Sequence, residues 1–219
     1  MKPSHWVGAL HVVLGLHCTA NAQAINPNNP LYARPSADEV LLQLVDTLTE
    51  ERGFCVDYPG FPASGVVTDY RESSWPMGAH TCKTNIPNSN VADIDQLFSL
   101  QALLGDDKRL RFTRLKVCIE VLTFRAVDAP GHMKEDSIRE DAPLIANPCS
   151  DAPEQNFRLD TEGQIKPVLD PSKCLTIGKE AFRAGNRSPG SPWYRRDLNF
   201  STCSEEASKR QRWRVLHAE

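Results

Sequence analysis

The chain has 219 residues, is 40% hydrophobic and 24% charged, and carries 12 Gly and 16 Pro, a balance that excludes a fibrous or disordered chain. Its formal charge is −3, from 25 Lys+Arg against 28 Asp+Glu, so nothing draws it generally to nucleic acid or anionic lipid. The length allows one large domain or two small ones.

The first segment reads as a leader. Lys2 gives a positive start, Val7 to Leu16 is mostly apolar, and Ala22-Gln23-Ala24 has the small-x-small form of a signal-peptidase site. Residues 1–24 are therefore expected to be a secretory signal peptide, and the mature protein to be secreted, periplasmic or extracellular. The apolar run falls short of the roughly 20 residues needed to cross a bilayer, so no membrane insertion is expected. His17 before Cys18 is not the small residue that a lipoprotein site wants.

Residues 25–50 read as an N-terminal extension. Ser36-Ala37-Asp38-Glu39 has the form of a capping box, and Leu41, Leu44, Val45 and Leu48 share one helical face, which predicts a short helix. The alternative is a strand over Val40 to Val45, completing a sheet edge that the C-terminus leaves open, since only six residues follow Trp213.

Cleavage after Ala24 removes Cys18 and leaves Cys55, Cys82, Cys118, Cys149, Cys174 and Cys203. An even set in an exported chain implies disulfides. No two form a CxxC pair, and His80, His132 and His217 are scattered, so no metal or other cofactor is expected.

An internal repeat organises the rest. Cys55-Val56-Asp57-Tyr58, Cys118-Ile119-Glu120-Val121 and Cys174-Leu175-Thr176-Ile177 each open a short β-prone stretch, and a second cysteine follows 27, 31 and 29 residues later. Each unit then closes with a glutamine two residues before an aromatic: Gln96-Leu97-Phe98, Gln155-Asn156-Phe157 and Gln211-Arg212-Trp213. The glutamines lie 59 and 56 residues apart, the pattern of a three-unit array joined by loops rich in Pro, Gly, Asn and Ser.

Paired cysteines with a closing Gln-x-Trp or Gln-x-Phe, three times in register, resemble the ricin B-type lectins over about residues 50–219. The resemblance implies an all-β fold: a β-trefoil over 51–219 with three intra-repeat disulfides, beside the short N-terminal helix. It implies that Phe98, Phe157 and Trp213 fill a shared core. Equivalent cysteines in equivalent modules would pair as Cys55–Cys82, Cys118–Cys149 and Cys174–Cys203.

In that family a sugar pocket combines a carboxylate two residues after the first cysteine, an aromatic platform near the second, an Asn before the Gln, and the Gln itself. A carboxylate accepts from adjacent sugar hydroxyls, and an aromatic face covers the C–H face of the ring. The first repeat supplies Asp57 and Gln96, with His80 or Trp75 as platform and Asp95 in place of the Asn. The second has Glu120, Asn147 and Glu154, and the third Thr176, Ser201 and Arg210, so neither reads as a working pocket. Trp193-Tyr194 reads as loop packing or as a separate platform.

No Gly-x-Ser-x-Gly, His-Glu-x-x-His or phosphate-binding loop is present, and a trefoil over 51–219 leaves no segment for a catalytic domain. The expected function is non-catalytic: a secreted lectin-like protein that binds glycans, galactose-type among them, mainly through the first repeat. The alternative is an interaction or targeting subunit for a toxin or enzyme chain, with no sugar bound. Asn186-Arg187-Ser188 and Asn199-Phe200-Ser201 are glycosylation sequons if the host modifies them.

Overall fold

The first element of the computed structural model is a strand, not a helix. β1 (Glu39–Leu44) is buried along its whole length, with Val40, Leu42 and Leu44 in the main core and Leu41 packed beside Cys55 and Cys82. The Ser36/Glu39 pair makes its reciprocal bonds, Glu39 N to Ser36 O at 2.9 Å and Ser36 N to a Glu39 carboxylate oxygen at 2.9 Å, yet these close a turn that leads into a strand. A helix here would leave β13 (Trp213–His217) without its partner, because Val40 to Leu44 pairs antiparallel with His217 to Trp213. The expected N-terminal helix is thus corrected to a barrel strand, and the sheet begins at Glu39 rather than at residue 51. The structure describes residues 35–58, 76–83, 94–123, 138–187 and 191–217. The expected leader at 1–24, Cys18 and Trp75 lie outside them.

Strands fall into three equivalent sets. The first repeat holds β1, β2 (Phe54–Asp57), β3 (Gly78–Thr81) and β4 (Phe98–Ser99). The second holds β5 (Arg111–Phe112), β6 (Val117–Val121), β7 (Ala142–Pro148) and β8 (Phe157–Leu159). The third holds β9 (Ile165–Pro167), β10 (Lys173–Ile177), an added strand β11 (Phe182–Arg187), the long β12 (Ser191–Thr202) and β13. In each set the second strand pairs antiparallel with the long strand ahead of the second cysteine: β2 with β3, β6 with β7, β10 with β12. The last strand of each set pairs with the first of the next: β4 with β5, β8 with β9, and β13 back to β1. This closed threefold arrangement is a β-trefoil.

Each repeat carries its own bridge: Cys55–Cys82, Cys118–Cys149 and Cys174–Cys203, with Cα separations of 4.9, 4.9 and 5.0 Å. The aromatic after each glutamine turns into the common core, with Phe98 and Phe157 at 0% and Trp213 at 1% exposure. Phe98 packs on Phe112, Phe157 stacks on Phe200, and Trp213 Nε1 donates to Leu175 O at 2.9 Å. A short helix, α1 (Leu100–Leu104), follows the first of these aromatics, capped where the Ser99 hydroxyl accepts from Ala102 N at 3.1 Å. Among the described residues no helix is long and apolar enough to cross a membrane.

Candidate functional site

The three glutamines hold the same post in each repeat. Gln96 Oε1 accepts from Lys83 N at 3.0 Å, Gln155 Oε1 from Ser150 N at 2.9 Å, and Gln211 Oε1 from Ser204 N at 3.0 Å, in every case the residue after the second cysteine. Their Nε2 groups donate to the carbonyl just before that cysteine, Thr81 O, Pro148 O and Thr202 O, at 3.3, 3.1 and 3.0 Å. A second Nε2 bond reaches the residue two after the first cysteine: Asp57 at 2.9 Å, Glu120 at 2.8 Å and Thr176 at 2.9 Å. The glutamine therefore braces the disulfide corner and aims the side chain where the resemblance implies a ligand carboxylate. Its buried amide is satisfied by protein on both ends, so it acts as a positioning group.

In the first repeat that corner is strongly charged. Asp57 ends β2 at 8% exposure and Asp95 is 9% exposed. Between them sits the ammonium of Lys83, which donates to Asp57 Oδ2 at 2.8 Å and also to Asp95 Oδ2. The Asp95 backbone is fixed beside this corner because its carbonyl accepts from Tyr58 N at 2.8 Å. Burial, reinforced by the Asp57 charge, pushes the Asp95 carboxyl above its usual range, with Lys83 opposing. Burial works to lower the Lys83 amine, but the two carboxylates outweigh it and hold the ammonium above its usual range. Asp57 Oδ1 takes no hydrogen bond from the described residues.

His80, on β3 opposite Cys55, is brought to this corner as expected. Burial first, and the Lys83 charge second, lower it to about 4, so its ring is neutral near pH 7. Its ring partner comes from another repeat. Trp193 on β12 lies 4.9 Å from His80, centroid to centroid and tilted by 54°, with Lys83 Nζ 5.9 Å and the Arg52 guanidinium 5.8 Å from the indole. The pairing of β12 with β3, Arg195 opposite His80, makes this approach possible. The site thus gathers Asp57, His80, Asp95 and Gln96, as the sequence implies, and adds Lys83 and Trp193, which the sequence reading did not assign to it. Lys83 carried a signal in its position directly after Cys82; Trp193 stood out only within the Trp193-Tyr194 pair, as loop packing or a separate platform, because its place at this corner depends on sheet pairing between repeats.

The other corners differ in charge. In the second, Glu120 is held by Gln155, Glu154 accepts from the Thr123 hydroxyl at 3.4 Å, and Asn147 stands opposite Cys118. The third, which reads from sequence as lacking a pocket, opens into a cleft of about 610 Å³ lined by Thr176, Lys179, Asn199, Ser201, Arg210 and Gln211 among others. Thr176 stands there in place of the carboxylate that follows the first cysteine, and the lining mixes hydroxyl, amide and cationic groups with the carboxylates of Glu140, Asp141 and Glu206. Among the described residues no group of three or more His, Cys, Asp or Glu is placed to hold a metal ion.

No protein-family model matches the chain. No curated protein matches it in sequence either. Among solved structures, the mdaA-1 domain is similar over 84% of this chain and 92% of its own, at 15% identity and a TM-score of 0.49. A mutant earthworm lectin C-terminal domain in complex with 6'-sialyllactose is similar over 82% of this chain and 98% of its own, at 11% identity and a TM-score of 0.46. The Vibrio vulnificus hemolysin/cytolysin β-trefoil lectin, with N-acetyl-D-lactosamine bound, is similar over 84% and 98%, at 14% identity and a TM-score of 0.44.

Proposed function

We propose that this protein is an exported, non-catalytic lectin-like protein that binds glycans at the first-repeat corner. The observation that carries the reading is the contact of the Trp193 and His80 rings at the corner where Lys83, 5.9 Å from the indole, bonds the Asp57 carboxylate. A ring face for sugar C–H groups and an acceptor for hydroxyls then share one corner, the acceptor being Asp57 Oδ1, which takes no hydrogen bond from the described residues. Three disulfides suit an oxidising compartment outside the cytosol.

A single shallow site of this kind binds a monosaccharide near the millimolar end, roughly −4 kcal/mol, and gains avidity from multivalent glycans. The test is an NMR titration with galactose- and N-acetylgalactosamine-terminated glycans. Shifts at Asp57, His80 and Trp193 that vanish in Asp57→Ala and in Trp193→Ala support the site. Shifts centred on Arg210 and Asn199 would move binding to the third-repeat cleft, a second reading favoured by its open polar volume. No shift with any glycan would favour the interaction or targeting subunit.

A further inference from the structure

Lys83, Asp95 and Asp57 are one amine and two carboxylates, delivered by three chain segments to a single buried point. The geometry points to a covalent end state: an intramolecular amide between Lys83 Nζ and Asp95 Cγ, formed with Asp57 as proton carrier and with loss of one water. The inference concerns the state of the protein itself and does not depend on any glycan being bound.

Pre-organisation is the first argument. Lys83 follows the bridged Cys82 and its backbone N–H is held by Gln96; Asp95 precedes that same glutamine, and its carbonyl is held by Tyr58, the neighbour of Asp57. The Lys83 nitrogen is in direct contact with Asp95 and stands 2.8 Å from Asp57. Groups locked at contact react as if at very high effective concentration.

Burial is the second. The Lys83, Asp57 and Asp95 side chains are only 16%, 11% and 13% exposed. Burial already pushes Asp95 towards its protonated form. Passing the shared proton from Nζ to Asp95 converts the ion pair into amine and carboxylic acid; burial favours both neutral forms, while the two carboxylates that hold the Lys83 ammonium above its usual range oppose the transfer.

The step then balances without a co-reactant. The Nζ lone pair adds to Asp95 Cγ, and Asp57 takes a proton from the nitrogen and returns it to the Asp95 hydroxyl oxygen. The Cγ–O bond breaks, water leaves, and no atom is oxidised or reduced. A buried ion pair is replaced by a neutral amide, which removes the desolvation cost of those two charges, against the cost of leaving the Asp57 carboxylate to the Gln96 Nε2 donor at 2.9 Å. Asp57 remains as a carboxylate with no cation on it, and the Asp95 side chain becomes a carboxamide bearing an N–H. The second and third repeats have Ser150 and Ser204 at the Lys83 position, so the link belongs to the first repeat alone.

Mass spectrometry of the full chain tests this. After reduction and alkylation, the expected trypsin digest leaves Lys83 uncut and yields a peptide spanning 72–108 that is lighter than its sequence by one water. Lys83→Arg, which keeps the charge and cannot form the amide, should restore the full mass. Asp57→Ala keeps both reacting groups, and its return to full mass would assign the proton-carrier role. Wild-type protein at full mass and cut after Lys83 would overturn the inference whether or not the variants fold. So would a chain lighter by one water that is still cut there, since that pattern marks a cyclic imide at Asp95.

Discussion

Gln43 on β1 accepts two hydrogen bonds from Arg214 on β13, from Nε at 2.8 Å and Nη2 at 2.6 Å, so side chains as well as backbone tie the first strand to the last. Gln43 Nε2 in turn donates to Arg52 O at 3.1 Å, which fixes the turn leading into β2. This closure sends alternate residues of β1 to different neighbours.

A strand and a helix bury different residues of that segment, and stability measurements separate them. Leu42 lies off the helical face formed by Leu41, Leu44, Val45 and Leu48, yet it is 0% exposed, while Val45 is 47% exposed. Leu42→Ala is expected to cost about 2–5 kcal/mol in urea unfolding. Val45→Ala should stay within about 0.5 kcal/mol of wild type. The opposite order would restore the helix.

Trp213 fills the threefold centre and also makes a buried hydrogen bond to Leu175 O. Trp213→Ala should cost about 3–5 kcal/mol. Trp213→Phe, which leaves that carbonyl without its indole donor, should cost less, with about 1–3 kcal/mol attributable to the unpaired group. A melting temperature unchanged by Trp213→Ala would remove this residue from the core.

Much of this was legible in the sequence because repetition constrains it three times over. The register of Cys, Cys and Gln-x-aromatic carried the resemblance that implied the bridges and the core aromatics, since each copy tests the others. Glu39 shows the limit: one copy of a capping pattern describes the local bonds correctly but not the backbone that follows, and tertiary pairing with β13 decides between helix and strand. Lys83 and Trp193 show another, because a side chain that bonds two carboxylates at once and a ring that crosses between repeats leave no periodic trace. The third-repeat cleft was hidden for a related reason, as Thr176, Ser201 and Arg210 read as losses only against a template with a carboxylate.

The bridges differ in burial, and that orders their reduction. Cys55 and Cys82 are 0% and 1% exposed, whereas Cys149 and Cys203 are each partly exposed. Limited reduction of the folded protein, followed by alkylation and peptide mapping, should label Cys149 and Cys203 before Cys55 or Cys82. Each bridge closes a loop of about 30 residues, so removing one pair should cost about 3–4 kcal/mol on the chain-entropy estimate. Early labelling of Cys55 would show that the first corner opens before the others.

Acid should lower stability in two windows, the upper carried by His80 and the lower shared by Glu39 with Glu50, Glu140 and Asp160, whose carboxyls are also held below their usual range. His80 sits at about 4 in the fold against 6.5 when unfolded, because burial and then the Lys83 charge disfavour its cation. The unfolded chain therefore binds the extra proton between those values, and stability falls as pH drops from 6.5 to 4. Burial alone would raise the Glu39 carboxyl, but the Arg114 guanidinium, at 2.8 and 2.9 Å, the Ser36 amide and the Thr113 hydroxyl outweigh it and bring it to about 2, against 4.5 when unfolded. Its contribution is fully present above pH 4.5 and is lost as pH falls through 2. Urea midpoints measured across this range should show both losses in wild type. His80→Asn should flatten the upper window and leave the lower, and Glu39→Gln should lower stability at pH 7 and reduce the loss in the lower window without abolishing it. A His80→Asn curve parallel to wild type between pH 6.5 and 4.5 would assign that loss to other groups.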